Sequence, residues 1–158
     1  MARFGFGYDT HRLVPGRPMI IGGVEVPSES GFEGHSDADI LLHAIADALL
    51  GAAALGDIGK HFPDTDPRYR GISSLLLLQH VADLLTQHRF AVVNIDATVV
   101  LERPKIAPYV DAMREHIGRV LKIPVEQVSI KATTQEGLGF IGEGRGAAAY
   151  AVSSIIQQ

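Results

Sequence analysis

The sequence predicts a single domain of the α/β (α+β) class spanning residues 1–158, and three observations predict it. Strand-like segments alternate with segments whose apolar residues recur at helical spacing, so both kinds of element must share one core. A Gly22-Gly23 pair divides the apolar run Met19–Val26, which adds a small β-hairpin. The chain has 158 residues, 46% hydrophobic and 20% charged, enough apolar material for one ordinary core and a length typical of one domain.

Arg3–Asp9 places Phe4, Phe6 and Tyr8 on one face of a strand, and Met19–Val26 forms two short strands about the glycine turn. Ser36-Asp37-Ala38-Asp39 has the Ser-x-x-acid form of a capping box, and Ile40, Leu41, Ala44, Ile45, Ala48 and Leu49 follow at helical spacing. That pattern predicts a helix from about Asp37 to Ala54. Gly56–Pro67, rich in Gly, Pro and Asp, is expected as a polar loop, and Ser73–His88 carries a second helical pattern. Ala91–Leu101, dense in Val, Ile and Thr, reads as a strand, and Pro108–Leu121 as a third helix with Pro near its first turn. Pro124 restarts the chain, Val128–Thr134 is strand-like, and glycines at 137, 139, 142, 144 and 146 imply a tight loop. The tail Ala147–Ile156 reads both ways. Its alanines favour helix, whereas Tyr150, Val152, Ile155 and Ile156 suit a strand.

Composition excludes several function classes. A net charge of −4 with 14 scattered Lys and Arg offers no basic field for nucleic acid or anionic lipid. With no Cys there is no disulfide framework and no thiolate metal site, so any zinc must rest on His, Asp or Glu. The longest apolar stretch, Ile40–Leu55, is interrupted by His43, Asp47 and Gly51, and Met1-Ala2 leads straight into a strand-like run. A soluble, cytoplasmic protein is expected.

Asp9 and His11, two positions apart at the end of a predicted strand, leave it on the same face and can grip one ion. A mixed oxygen and nitrogen pair suits zinc, and His43 from the following helix is the candidate third ligand. The competing reading is a turn-forming Asp and two half-buried histidines. His35-Ser36 falls where the predicted helix begins, so unpaired N–H groups there could bind phosphate; alternatively Ser36 is only a cap. Asp39, His43 and Asp47 are spaced by four, so a carboxylate could hold the His43 nitrogen turned away from a metal. Lys131–Glu136 leaves a strand with two hydroxyls for phosphate oxygens and a carboxylate for a hard cation. Gly137–Gly142 matches G-x-G-x-x-G only formally, since sixteen residues follow Gly142 and the nucleotide fingerprint needs a helix and a distant acid.

Gly7-Tyr8-Asp9-Thr10-His11, Gly34–Asp39, Gly51–Lys60, Phe62–Asp66, Pro104-Lys105 and Lys131–Glu136, in this order and spacing, closely resemble the 2-C-methyl-D-erythritol 2,4-cyclodiphosphate synthase family nearly from end to end. The resemblance implies conversion of 4-diphosphocytidyl-2-C-methyl-D-erythritol 2-phosphate to the cyclic diphosphate and CMP. It makes the tail a strand, giving a mixed four-stranded sheet covered by helices on one face plus a hairpin, assembled as a homotrimer with the sheets facing the axis. It also implies zinc on Asp9, His11 and His43, magnesium or manganese on Glu136, and catalytic alignment of the phosphates by His35 and Thr134. Ser36, Asp57, Gly59, Phe62, Pro63, Asp64, Thr65 and Asp66 would contact the methylerythritol phosphate. Leu101, Pro104, Lys105, Ile106, Ala107, Ala132 and Thr133 would form the cytidine pocket, supplied by a neighbouring subunit, and Phe140 and Glu143 are further implied substrate contacts. The chain departs from the pattern at Gly142-Glu143-Gly144-Arg145-Gly146, where many relatives carry the basic residue first. In some of them that Arg lines an axial cavity for isoprenoid diphosphates, a partner this reversal puts in question. A metal-dependent phosphohydrolase and a non-catalytic isoprenoid diphosphate-binding trimer are the competing functions.

Overall fold

The computed structural model describes residues 1–158. Its strands are β1 (Ala2–Pro15), β2 (Met19–Ile21), β3 (Val24–Val26), β4 (Ser30–Phe32), β5 (Phe90–Val100), β6 (Val128–Thr133) and β7 (Gly146–Gln157). Its helices are α1 (Ile40–Ala52), α2 (Ile58–His61), α3 (Ser74–Gln87), α4 (Val110–Leu121) and α5 (Gly139–Gly142). The main sheet has the order β4-β1-β7-β5-β6, antiparallel except for the parallel β5–β6 pair, and β2 and β3 form the separate hairpin. The turn between them has positive φ at both Gly22 and Gly23, a conformation that costs glycine least.

The mixed sheet is therefore five-stranded rather than four-stranded, because Ser30–Phe32 folds back antiparallel to Leu13–Pro15. Only glycine fits at Gly31, where a Cβ would fall 2.2 Å from the carbonyl oxygens of both Arg17 and Pro18. β1 also runs on past Asp9, so Asp9 and His11 lie inside a strand, opposite Ala149 and Ala147 of β7. The tail is a strand despite its alanines because it pairs on both sides, with β1 and with β5. Ala147, Ala149 and Ala151 face inward and are buried in the core against which α1 packs.

The same economy of side chains operates on β1. A Cβ at Gly5 would lie 1.8 Å from the Ala48 carbonyl oxygen, and one at Gly7 1.8 Å from that of Ala44. Two glycines facing two alanines let α1 rest on the strand at backbone distance, which carries His43 close to Asp9 and His11. The core joins Ile40, Leu41, Ile45 and Leu49 of α1 to Leu78 and Val81 of α3, Met113 and Ile117 of α4, and Ile95, Ala97 and Val99 of β5. The opposite sheet face leaves Phe4 (72% exposed), Phe6 (63%), Tyr8, Tyr150, Val152 and Ile156 in the open.

Helix α1 begins at Ile40, not Asp37, and its cap is Asp39 rather than Ser36. Ala38 takes a left-handed φ of 58°, which breaks the helical path just before it. The Asp39 carboxylate accepts from Leu42 N–H (3.0 Å) and from the N–H groups of Gly22 (3.0 Å) and Gly23 (2.8 Å). The hairpin turn thus closes the helix start, and full burial pushes the Asp39 carboxyl up to about 6.

Candidate active site

Asp9 and His11 point from the inner face of β1, and His43 descends on them from the first turn of α1. His11 Nε2 lies 2.9 Å and His43 Nδ1 3.1 Å from Asp9 Oδ2, and the two ring nitrogens are 3.4 Å apart. Ligand atoms about 2.0–2.1 Å from a tetrahedral zinc stand about 3.3 Å from one another, so this triangle fits such an ion with little movement. These three residues form a group that could hold a metal. Burial alone would raise Asp9, but hydrogen bonds from His11 and His43 hold its carboxyl below the usual range. Burial alone would lower His43, but the hydrogen bond and charge of Asp9 raise it.

The other His43 nitrogen, Nε2, faces away from the triangle. It lies 2.9 Å from Ser74 Oγ and 3.3 Å from Ser36 Oγ. The Ser74 hydroxyl donates in turn to Asp37 Oδ1, and the Ser74 N–H donates to Asp37 Oδ2 at 2.9 Å. Helical spacing pointed to Asp39 or Asp47 for this place, and neither takes it. Asp39 is consumed by the helix cap and the hairpin turn, while Asp47 accepts from Ile58 N–H (2.8 Å) and anchors the start of α2. Ser74 went unrecognised because it reads simply as the first residue of a helix, 31 positions from His43.

Beside the triangle opens a cleft of about 450 Å³. His35, Ser36, Gly59, Phe62, Pro63 and Asp64 line it together with Asp9, His11 and His43. Ile58, Tyr69, Ile72 and Leu77 add an apolar wall that the sequence did not reveal. Phe62 meets Tyr69 edge to face (5.5 Å between ring centroids) and stacks on His80 (5.7 Å). His35 and Ser36 belong to the loop before α1, so the helix N–H groups expected to meet a phosphate there are not theirs. His35 Nε2 instead lies 3.2 Å from the Asp66 carbonyl oxygen, tying that loop to the Phe62–Tyr69 segment. Asp57 caps α2 through Lys60 N–H (2.9 Å) and is absent from the cleft lining, as are Thr65 and Asp66. The Asp66 carboxylate is held below the usual range by Arg68, whose Nη2 donates to it at 2.7 Å.

Leu101, Pro104, Lys105, Ile106, Ala107, Ala132, Thr133 and Thr134 do come together, in a separate recess of about 180 Å³. Its organiser is Glu102, whose carboxylate accepts from Gln135 N–H and Gly137 N–H, each at 2.9 Å. Between them Glu136 N–H donates to Thr134 Oγ1 (3.2 Å), and Glu136 takes a left-handed φ of 54°. Phe140 lies with His11, Arg145 and Gly146 around a third hollow, and Glu143 is paired with Arg145 at 2.8 Å. Within one chain, then, the triad and Thr134 occupy different recesses.

The family model described as the YgbB family matches residues 2–156. A protein of Alkaliphilus metalliredigens named 2-C-methyl-D-erythritol 2,4-cyclodiphosphate synthase is 61% identical over 155 residues, 98% of each chain. The fold superposes on the bifunctional IspDF of Campylobacter jejuni with a TM-score of 0.96 at 36% identity, covering 100% of this chain and 43% of that one. It matches a CDP complex of Plasmodium falciparum IspF with a TM-score of 0.87 at 31% identity, over 99% of this chain and 97% of the other.

Proposed function

The chain belongs to the YgbB family, and from that premise we propose how its residues perform the family's reaction. It is a 2-C-methyl-D-erythritol 2,4-cyclodiphosphate synthase, converting 4-diphosphocytidyl-2-C-methyl-D-erythritol 2-phosphate to the cyclic diphosphate and CMP in non-mevalonate isoprenoid precursor synthesis. The observation that carries the mechanism is the meeting of Asp9, His11 and His43 in the lining of a cleft of about 450 Å³.

In this reading a 2-phosphate oxygen attacks the β-phosphorus, a new P–O bond forms, and the bond to the bridging oxygen breaks with CMP leaving. A phosphate monoester with a second pKa of about 6 is already largely ionised at neutral pH, so no residue is needed as a base. What the protein must supply is a folded-back geometry, and such positioning can contribute roughly 7–11 kcal/mol. Asp9, His11 and His43 would hold zinc, and Glu136 magnesium or manganese, which supply charge neutralisation at the phosphates. His35 and Thr134 would align the two phosphates. Ser36, Asp57, Gly59 and Phe62–Asp66 would receive the methylerythritol end, with Phe140 and Glu143 as outlying contacts. The recess of Leu101–Ala107 with Ala132 and Thr133 would receive cytidine, as the CDP bound to the Plasmodium relative supports.

Two observations support a homotrimer with its sites between subunits: the triad and the cytidine recess are separate within one chain, and the outer sheet face is apolar and uncovered. Isoprenoid diphosphate on the trimer axis is not proposed, because the loop carries Glu143 before Arg145, the reverse of the order in many relatives. No helix is long and apolar enough to cross a membrane, and a cytoplasmic location is proposed. Incubating purified protein and magnesium with the cytidine substrate tests the whole reading. CMP and cyclic diphosphate should appear together, and a ring-opened phosphate would instead identify a phosphohydrolase.

A further inference from the structure

The metal triangle is only the near end of a longer chain of hydrogen bonds. His43 is a two-sided residue: Nδ1 joins Asp9 and His11, while Nε2 reaches Ser74 Oγ at 2.9 Å. Ser74 is 1% exposed and sits at the first turn of α3, and of its two neighbours the Asp37 carboxylate, which can only accept, takes its hydroxyl proton. With that O–H spent on a carboxylate, the Ser74 oxygen is left to accept, and the Nε2–H of His43 is the donor facing it. Ser36 is the weaker neighbour, at 3.3 Å, and its oxygen already accepts from Ala38 N–H at 3.1 Å.

We propose that Ser74 and Asp37 are positioning residues of the metal site. They hold the Nε2 proton of His43 in place, so that when zinc displaces the Nδ1 proton now shared with Asp9, the Nδ1 lone pair is already aimed between Asp9 and His11. The inference rests on the metal reading of that triad. A histidine whose outer N–H is held by an oxygen keeps one tautomer and one ring orientation, and its inner nitrogen becomes the more basic. Asp37 supplies the charge at the far end and, by also accepting Ser74 N–H, locks the start of α3 to the loop before α1.

The test is a zinc titration of metal-stripped full-length protein against a chromophoric chelator, with thermal melting of the same metal-free samples. Wild type should bind one zinc and His43→Ala none; the opposite result in either would remove the metal reading, and the relay with it. Ser74→Ala keeps the N–H that Asp37 caps and removes only the hydroxyl. It should bind zinc roughly ten- to a hundredfold more weakly. Ser74→Thr, which restores the hydroxyl, should recover most of the affinity. If Ser74→Ala binds within twofold of wild type, or melts lower at unchanged affinity, Ser74 is a structural cap and the relay is wrong although the metal site stands. Should Ser74→Ala fail to fold, Asp37→Asn is read by the same titration, with the same two outcomes.

Discussion

Gly7 of β1 faces Ala44 of α1 so closely that a Cβ on the glycine would lie 1.8 Å from the alanine carbonyl oxygen. Ala44 directly follows His43 in the helix, so the separation of strand and helix also sets the distance from His43 to Asp9. Gly7→Ala should therefore harm both stability and site. We expect a loss of about 1–3 kcal/mol or more in urea denaturation, the ordinary cost of overpacking a core, together with weaker zinc uptake. A variant with wild-type stability would show that the helix can shift freely.

His43→Ala should leave a folded protein, because the main core lies along the rest of α1 and its partners. Bound zinc and nearly all turnover should be lost. Metal analysis of the folded variant decides, and full zinc occupancy would take His43 out of the ligand set.

Zinc uptake should release protons, and its pH dependence follows from His43. Asp9 raises His43 above its ordinary 6.5, so near that pH the metal-free ring is mostly protonated and must give up its proton to bind. Affinity should climb as pH rises through the folded value and then level off. In the metal-free protein the stabilisation from the raised His43 is fully present below 6.5 and is lost as pH rises through that higher value. The stabilisation from the depressed Asp9 is present above 3.8 and is lost as pH falls through its folded value. Calorimetric titration in two buffers of different ionisation enthalpy counts the protons, and no release at pH 6.5 would contradict the pairing.

Glu102→Ala should free the Gln135–Gly137 turn and with it Thr134 and Glu136. Turnover should fall about tenfold or more while zinc content stays at wild type, because the triad lies in another recess. Glu102→Gln, which keeps one acceptor, should fall between the two. Equal kinetics in all three proteins would show that the turn holds itself.

Mixing subunits tests the shared site. His43→Ala and Lys105→Ala, each inactive alone, should recover about a quarter of wild-type activity when dissociated and reassembled in equal amounts, since about one interface in four pairs two intact sides. Activity that stays at the single-variant level in mixed trimers would place the whole site within one subunit.

What the sequence determined by itself is local. The periodicity of Ile40–Leu49 announces a helix, Gly22-Gly23 announces a hairpin, and two side chains two apart on a strand must share a face, which put Asp9 and His11 together before any fold was known. Each of these follows from backbone geometry repeated over a few residues. Packing decided the rest. Whether an alanine-rich tail is helix or strand depends on partners on both sides, which β1 and β5 provide from the far end of the chain and from its middle. The Ser36–Asp39 cap was legible in composition but wrong in register, because Asp39 also serves a turn 16 residues away. The outer support of His43 was misplaced for the same reason. Helical spacing finds neighbours within one helix, whereas a buried imidazole takes whichever oxygen packing brings to it, and here that is Ser74 on another helix.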